Sequence, residues 1–342
     1  MEPRSHPTKI DVTDDAHREL RVSEGESQRI STSIPHRPIF TNPKIYPSPP
    51  TPPANFGTHR PSNELSPILP QNANNMASLI FVPRRSEERG STDHGCSKSL
   101  NTFSFASYQD SGHQKFGPLR VMNENCIEPR TGFGPQSHHE LEIFSYIVSG
   151  ELEHHDSMGN TEILKRGSLQ LSSAGIGITH SEKAHGHIPV HFLQIWSLPH
   201  TRHLQPKYYT REFSDTQKTN TWVRVVAPAG AEGVSQEREC GGPAPVHSAL
   251  TLYATLLGKK KVLDKALKGK KAYVHVVQTS GYNPGRARGA SVRFAGTTNE
   301  KHEVFLKEGD GAYLKVGDGQ GCHLFIENVG DESAEVLLFD LE

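Results

Sequence analysis

The chain has 342 residues, enough for about two domains, and sets 37 Lys+Arg against 38 Asp+Glu for a formal charge of −1. That balance excludes a global basic field able to hold nucleic acid by counterion release. Four cysteines, at 96, 126, 240 and 322, form no Cys-x-x-Cys pair and are too few for a disulfide scaffold, which points to a reducing compartment.

Met1 to Ile10 lacks the apolar stretch of a secretory signal, and no run of about 18 apolar residues occurs anywhere. A cytoplasmic or nuclear protein without a membrane segment is the expectation. Residues 1–75 carry 13 of the 24 prolines and only three aromatics, Phe40, Tyr46 and Phe56. Such an arm cannot bury enough surface to offset chain entropy and reads as disordered. Within it, Pro47 to Pro53 favours polyproline II, the conformation of a linker or of a docking ligand. Met76 opens the first strand-like apolar run.

From about residue 100 the texture becomes short β segments punctuated by Gly, Pro, Asn and Asp. Glu142 to Val148 reads as a strand stopped by Gly150, Leu152 to His155 as the next, and Asp156 to Asn160 as turn chemistry before Thr161 to Leu164. Val190 to Leu198 is another strand, and His200 to Asn220 reads as the crossing to a second unit. Further strands are expected at Ala249 to Leu257, Ala272 to Gln278, Val304 to Leu306, Leu324 to Asn328 and Ala334 to Asp340. Strings of hairpins imply an all-β protein of antiparallel sandwiches or barrels.

The 20 histidines are the chemical signal, many lying between positions 113 and 203. Residues two apart on a strand share a face. Gln136 and His138 form one such pair, and His180 and Glu182 another. On neighbouring strands of one β unit they would supply imidazole, carboxylate and amide oxygen, a mixed N/O set suited to Fe(II), Mn(II), Ni(II) or Cu(II). Glu140 and Glu142 continue the parity of His138. His154 and His155 precede a turn and read as a solvated hairpin tip, and His185 and His187 as a surface loop. His247, His275, His302 and His323 are isolated and read as packed residues. The lysines between 259 and 271 read as a solvated face, and Cys126 as a small buried residue.

Several runs, in order, closely resemble the pirin family: Asn101 to Tyr108, Phe116 to Glu124, Glu140 to Tyr146, Leu152 to Asn160, Ser173 to Glu182 and His191 to Trp196. A thinner match at Ala334 to Leu341 extends the likeness over roughly residues 76–342. The resemblance implies two tandem cupin domains, jelly-roll-like β-barrels, here at 76–205 with a metal site and at 206–342 without one. It implies a metal, usually iron, held by three histidines and a glutamate. The family's His-x-His falls on Gln136 and His138, its other ligands on His180 and Glu182. Gln136 therefore stands where an imidazole belongs. His139 should face the other way, and Glu142 is a candidate replacement. Asn101 and Asn125 also depart from the family's common His and Asp.

The resemblance further implies a flavonol 2,3-dioxygenase activity of the kind that acts on quercetin. The metal would acidify the 3-hydroxyl, Glu182 would take the proton, O2 would add across the central ring and carbon monoxide would leave. Phe133, Phe144 and Tyr146 are candidate pocket aromatics. The alternative reading is a non-catalytic co-regulator, with or without metal, that presents a surface to transcription factors or signalling proteins; Gln136 favours it. Neither reading calls for direct nucleic-acid contact.

Overall fold

A computed structural model describes residues 77–297, 303–319 and 321–342. The arm at 1–75 and Met76 lie outside the described residues.

The chain runs through β1 (Leu79–Arg84), β2 (Gly90–Asp93), β3 (Ser97–Asn101), β4 (Leu119–Ile127), β5 (Gly132–His138) and β6 (Glu142–Ser149). Next come β7 (Glu151–Asp156), β8 (Thr161–Lys165), β9 (Ser168–Ser173), β10 (Ile178–Ala184), β11 (Val190–Ser197) and β12 (Lys207–Glu212). A single turn of helix, α1 (Asp215–Lys218), leads to β13 (Val223–Pro228), β14 (Ala244–Val246), β15 (Leu250–Leu257), β16 (Val262–Leu267) and β17 (Lys271–Val276). The chain ends with β18 (Arg288–Gly296), β19 (Glu303–Glu308), β20 (Gly311–Val316), β21 (Cys322–Asn328) and β22 (Ala334–Leu341).

These strands make two sandwiches, as expected of tandem cupins. The first sets a seven-stranded sheet, β12-β9-β6-β11-β4-β3-β2, over a four-stranded one, β5-β10-β7-β8. The second repeats the plan with β1-β20-β17-β22-β15-β13-β14 over β16-β21-β18-β19. Among the described residues, hydrogen bonding closes the two sheets of neither into a continuous barrel. The expected crossing at His200 to Asn220 contains β12, which pairs with β9 of the first sandwich, whereas β1 pairs with β20 of the second. A division between 205 and 206 stays a proposal about domains; strand pairing crosses it twice.

Among the described residues, three apolar clusters form the core. The largest lies between the two seven-stranded sheets and joins Phe144, Tyr146, Leu193 and Tyr209 of the first sandwich to Val226, Leu252, Tyr273 and Phe339 of the second. The interior of the second sandwich is filled with apolar residues such as Val274, Phe294, Leu306 and Ile326. The first keeps only a small apolar floor of Ile127, Ile147, Leu152, Leu164, Ala184, Val190 and Phe192. Its remaining interior is polar, which is where a site for chemistry has room.

Buried charges cross the contact between sandwiches. Glu335 on β22 accepts from Lys218 Nζ at 3.0 Å, from Arg166 at 3.1 Å and from the Tyr146 hydroxyl. Tyr146 and Phe144 therefore belong to the joint between sandwiches, not to a pocket of the first. Strand alternation requires this, because Ser145 between them faces the opposite way, onto Glu182. Cys126 is half-buried rather than buried, and its thiol is raised by burial.

Candidate metal centre

The four-stranded sheet of the first sandwich aims alternate residues of three strands inward. On β10 these are Ile178, His180, Glu182 and Ala184, all buried. Antiparallel pairing sets His180 across from Gln136 of β5 and Asp156 of β7, and Glu182 across from His154. Directly paired residues share a face, so Gln136, His154, His180 and Glu182 converge. His138, paired with Ile178, follows two residues after Gln136 at the rim.

A bulge shapes this wall. From His180 to Glu182 β10 advances two residues while β5 steps back three, from Gln136 to Phe133. The extra residue falls at Gly134–Pro135, where proline has no N–H to give the ladder. It turns Phe133 inward as well, onto the apolar floor.

The donors are close. One nitrogen each of His154 and His180 and one carboxylate oxygen of Glu182 lie within 4.8 Å of one another. The His138 ring centre is 5.0 Å from that of His180. Both ring nitrogens of His180, Nδ1 of His154 and Nε2 of His138 are buried without a hydrogen-bond partner. Buried polar atoms are ordinarily partnered, so unpartnered nitrogens around one carboxylate are what a cation's donors look like before it binds. The set of imidazoles and one carboxylate fits a divalent transition ion.

Glu182 is firmly held: Ser145 Oγ donates to one carboxylate oxygen at 3.1 Å and Gln194 Nε2 to the other at 2.8 Å. Burial pushes its carboxyl up, but His154, His180 and Ser145 outweigh this and hold it below the usual range. Burial lowers His180 and, with His180 beside it, takes His138 down to about 4. Both imidazoles are then neutral near pH 7 and offer lone pairs.

Some sequence expectations change here. His154 is no solvated hairpin tip: its side chain is fully buried, and only His155 faces out. Parity along Leu152, His154 and Asp156 shows this, while the turn residues beginning at Asp156 mask it. Glu142 does not replace Gln136. The chain turns between β5 and β6 with Glu140 at φ 54°, which breaks the parity counted from His138. Glu142 instead accepts from Ser173 Oγ at 2.9 Å on the far face of β6. His139 is exposed, as alternation predicts. His185 and His187 are bound at the surface to Glu153 and Arg130, at 3.0 and 2.9 Å.

The aromatic at the site is Trp196, which shares a strand face with Gln194. Its ring centre lies 4.8 Å from that of His138, edge to face, and 5.3 Å from that of Phe105. Tyr208 stands 5.1 Å from His154 with its hydroxyl buried and unpartnered. Beside His138 an opening of about 330 Å³ is lined by Ser137, His139, Ser157, Ile176 and Thr179.

Comparison with known proteins agrees with this architecture. The profile of the pirin family, described as Pirin, matches residues 83–197. A quercetin 2,3-dioxygenase of Escherichia coli strain K12 is 32% identical over 265 residues, which are 77% of this chain and 99% of that protein. The crystal structure of the bacterial pirin YhhW of Escherichia coli in complex with nickel(II) superposes with a TM-score of 0.62 at 31% identity, covering 77% of this chain and 99% of that one. GK1651 of Geobacillus kaustophilus, at 19% identity and TM-score 0.59, covers 78% of this chain and 97% of its own and shares the fold.

Proposed function

Since the chain belongs to the pirin family, we propose that it is a metal-dependent dioxygenase of the flavonol (quercetin) 2,3-dioxygenase type, acting on a small aromatic substrate with O2. His138, His180 and Glu182 hold the metal, and the Gln136 amide stands across from His180 as a weak neutral donor at the rim. Fe(II) is the first choice, with Mn(II), Ni(II) and Cu(II) suited to the same donors. The nickel bound by the similar YhhW supports a divalent ion. The observation that carries the reading is the set of buried, unpartnered imidazole nitrogens converging on Glu182.

When bound, the ion supplies a positive charge that lowers the pKa of a coordinated hydroxyl. Glu182, fixed by Ser145 and Gln194, is placed to accept the proton. Trp196, with its ring centre 4.8 Å from that of His138, is the aromatic beside the donors against which a flat ring system can pack. The opening falls within the size range of small-molecule sites.

Metal analysis of the purified chain, anaerobic iron loading and an assay for quercetin loss test the reading. Stoichiometric metal with quercetin consumption supports it. Less than roughly a tenth of an equivalent of metal after loading eliminates it. Gln136 in place of an imidazole favours a second reading, a metal-binding co-regulator without turnover, which the same experiment reveals as full loading with no quercetin loss.

A further inference from the structure

We propose that His154 is a direct ligand of the metal in this chain and supplies the third imidazole that Gln136 does not. The inference rests on the metal-centre reading above and concerns which side chains complete it. Geometry singles out His154. Of the site's histidines, it and His180 form with Glu182 the trio whose donor atoms all lie within 4.8 Å of one another. Two donors at about 2.1 Å from one ion are at most about 4.2 Å apart, so a small rotation of side chains closes the gap.

The surroundings of His154 fix which nitrogen is free. Its Nε2 lies 3.4 Å from Asp156 Oδ2, while Nδ1 faces Glu182 Oε1 at 3.9 Å, beyond hydrogen-bond distance. Asp156 is itself immobilised, accepting from the backbone N–H of Met158 and Asn160 and from Asn160 Nδ2 at 2.8–3.0 Å. An imidazole that donates to a carboxylate through one nitrogen and presents the other to an ion is the usual outer arrangement of a metal-bound histidine. Tyr208 packs against the ring, with centres 5.1 Å apart. Gln136, by contrast, is half-buried at the rim. The site thus exchanges a donor on β5 for one on β7 while keeping three imidazoles and one carboxylate.

The test uses the full chain loaded with Ni(II), with X-ray absorption to count imidazoles and calorimetry for affinity. The wild type is expected to show three imidazoles, from His138, His154 and His180. His154→Gln should fall to two and lose more than the roughly 100-fold that removal of an orienting partner costs. Exposed His155→Gln should change neither readout, and adding Gln136→His to His154→Gln should restore the third imidazole. Two imidazoles in the wild type would overturn the claim of a third, and if the same two persist in a folded His154→Gln protein His154 is not a ligand, though a metal centre remains. Unchanged count and affinity in a folded His154→Gln protein would likewise overturn the assignment. A wild type that takes up no Ni(II) would overturn both this inference and the reading beneath it.

Discussion

Glu124 on β4 of the first sandwich and His275 on β17 of the second meet with Oε2 and Nε2 3.3 Å apart and neither side chain exposed. The same carboxylate accepts from Arg89 Nη1 at 3.0 Å and the Gln278 backbone N–H at 3.0 Å, with His191 Nε2 3.2 Å away. Burial would raise its pKa; His191, His275 and Arg89 together hold it well below the usual range. Removing the carboxylate leaves Arg89 charged and without its counter-ion in the joint. Glu124→Ala should cost about 3–5 kcal/mol, read as a fall in the urea midpoint. A loss within experimental error would show that the joint does not depend on this charge.

Glu142 makes a pH-dependent contribution of the opposite kind. Burial raises its carboxyl from 4.5 to about 8, with Ser173 offsetting only part of the rise. Below about pH 4.5 the folded and unfolded chains both hold this proton. Between that and about pH 8 the unfolded chain releases it and the folded chain keeps it, so stability declines by up to about 1.4 kcal/mol per pH unit from this group. Glu142→Gln, which retains an acceptor for Ser173, should therefore raise the urea midpoint at pH 8.5 and leave it unchanged at pH 4. Metal affinity should not move, because Glu142 faces away from the centre; a large drop in affinity would return it to the ligand set.

Trp196 touches the site without offering a donor to the ion. Trp196→Leu should leave the loaded metal content at its wild-type value while raising the KM for quercetin several-fold, with kcat less affected. If the proposed activity holds, steady-state kinetics on the metal-replete protein decide this. An unchanged KM would remove Trp196 from the substrate pocket.

Gly150 closes the β6–β7 hairpin at φ 75°, and a Cβ there would stand 2.3 Å from the Pro189 carbonyl oxygen. Both the backbone angle and the close approach require glycine. Gly150→Ala should destabilise the chain by more than about 1 kcal/mol, and the shift of β7 should weaken metal binding through His154. Wild-type thermal stability in this variant would contradict the geometry.

Much of the fold could be read from the sequence because hairpins are local: Glu142 to Val148 and Leu152 to His155 lie within observed strands, and Val190 to Leu198 overruns its strand, Val190–Ser197, by one residue. Spacing of two on a strand pairs Gln136 with His138 and His180 with Glu182, and β5 and β10 do set Gln136 across from His180. What escaped depends on backbone irregularity or on distant pairing. One left-handed residue, Glu140, reassigns Glu142 and Phe144 to the opposite side of the sheet. The bulge at Gly134–Pro135 decides which β5 residues face in. His154 was obscured because a buried strand residue and a solvated turn residue are adjacent in the chain, and only the pairing with Glu182 tells them apart. Trp196 gave one signal, its parity with Gln194, but nothing in that parity distinguishes a pocket from a core.

The exchange of outer strands has a practical meaning for anyone wishing to handle half of this protein. A fragment ending near residue 205 would carry β9 stripped of β12, and the complementary fragment would carry β20 stripped of β1. Each would present a raw backbone margin to its neighbours in solution, an invitation to clump or to trade segments between copies. The two lobes are buckled together, and whatever the first lobe does at its metal, it does as part of an undivided whole.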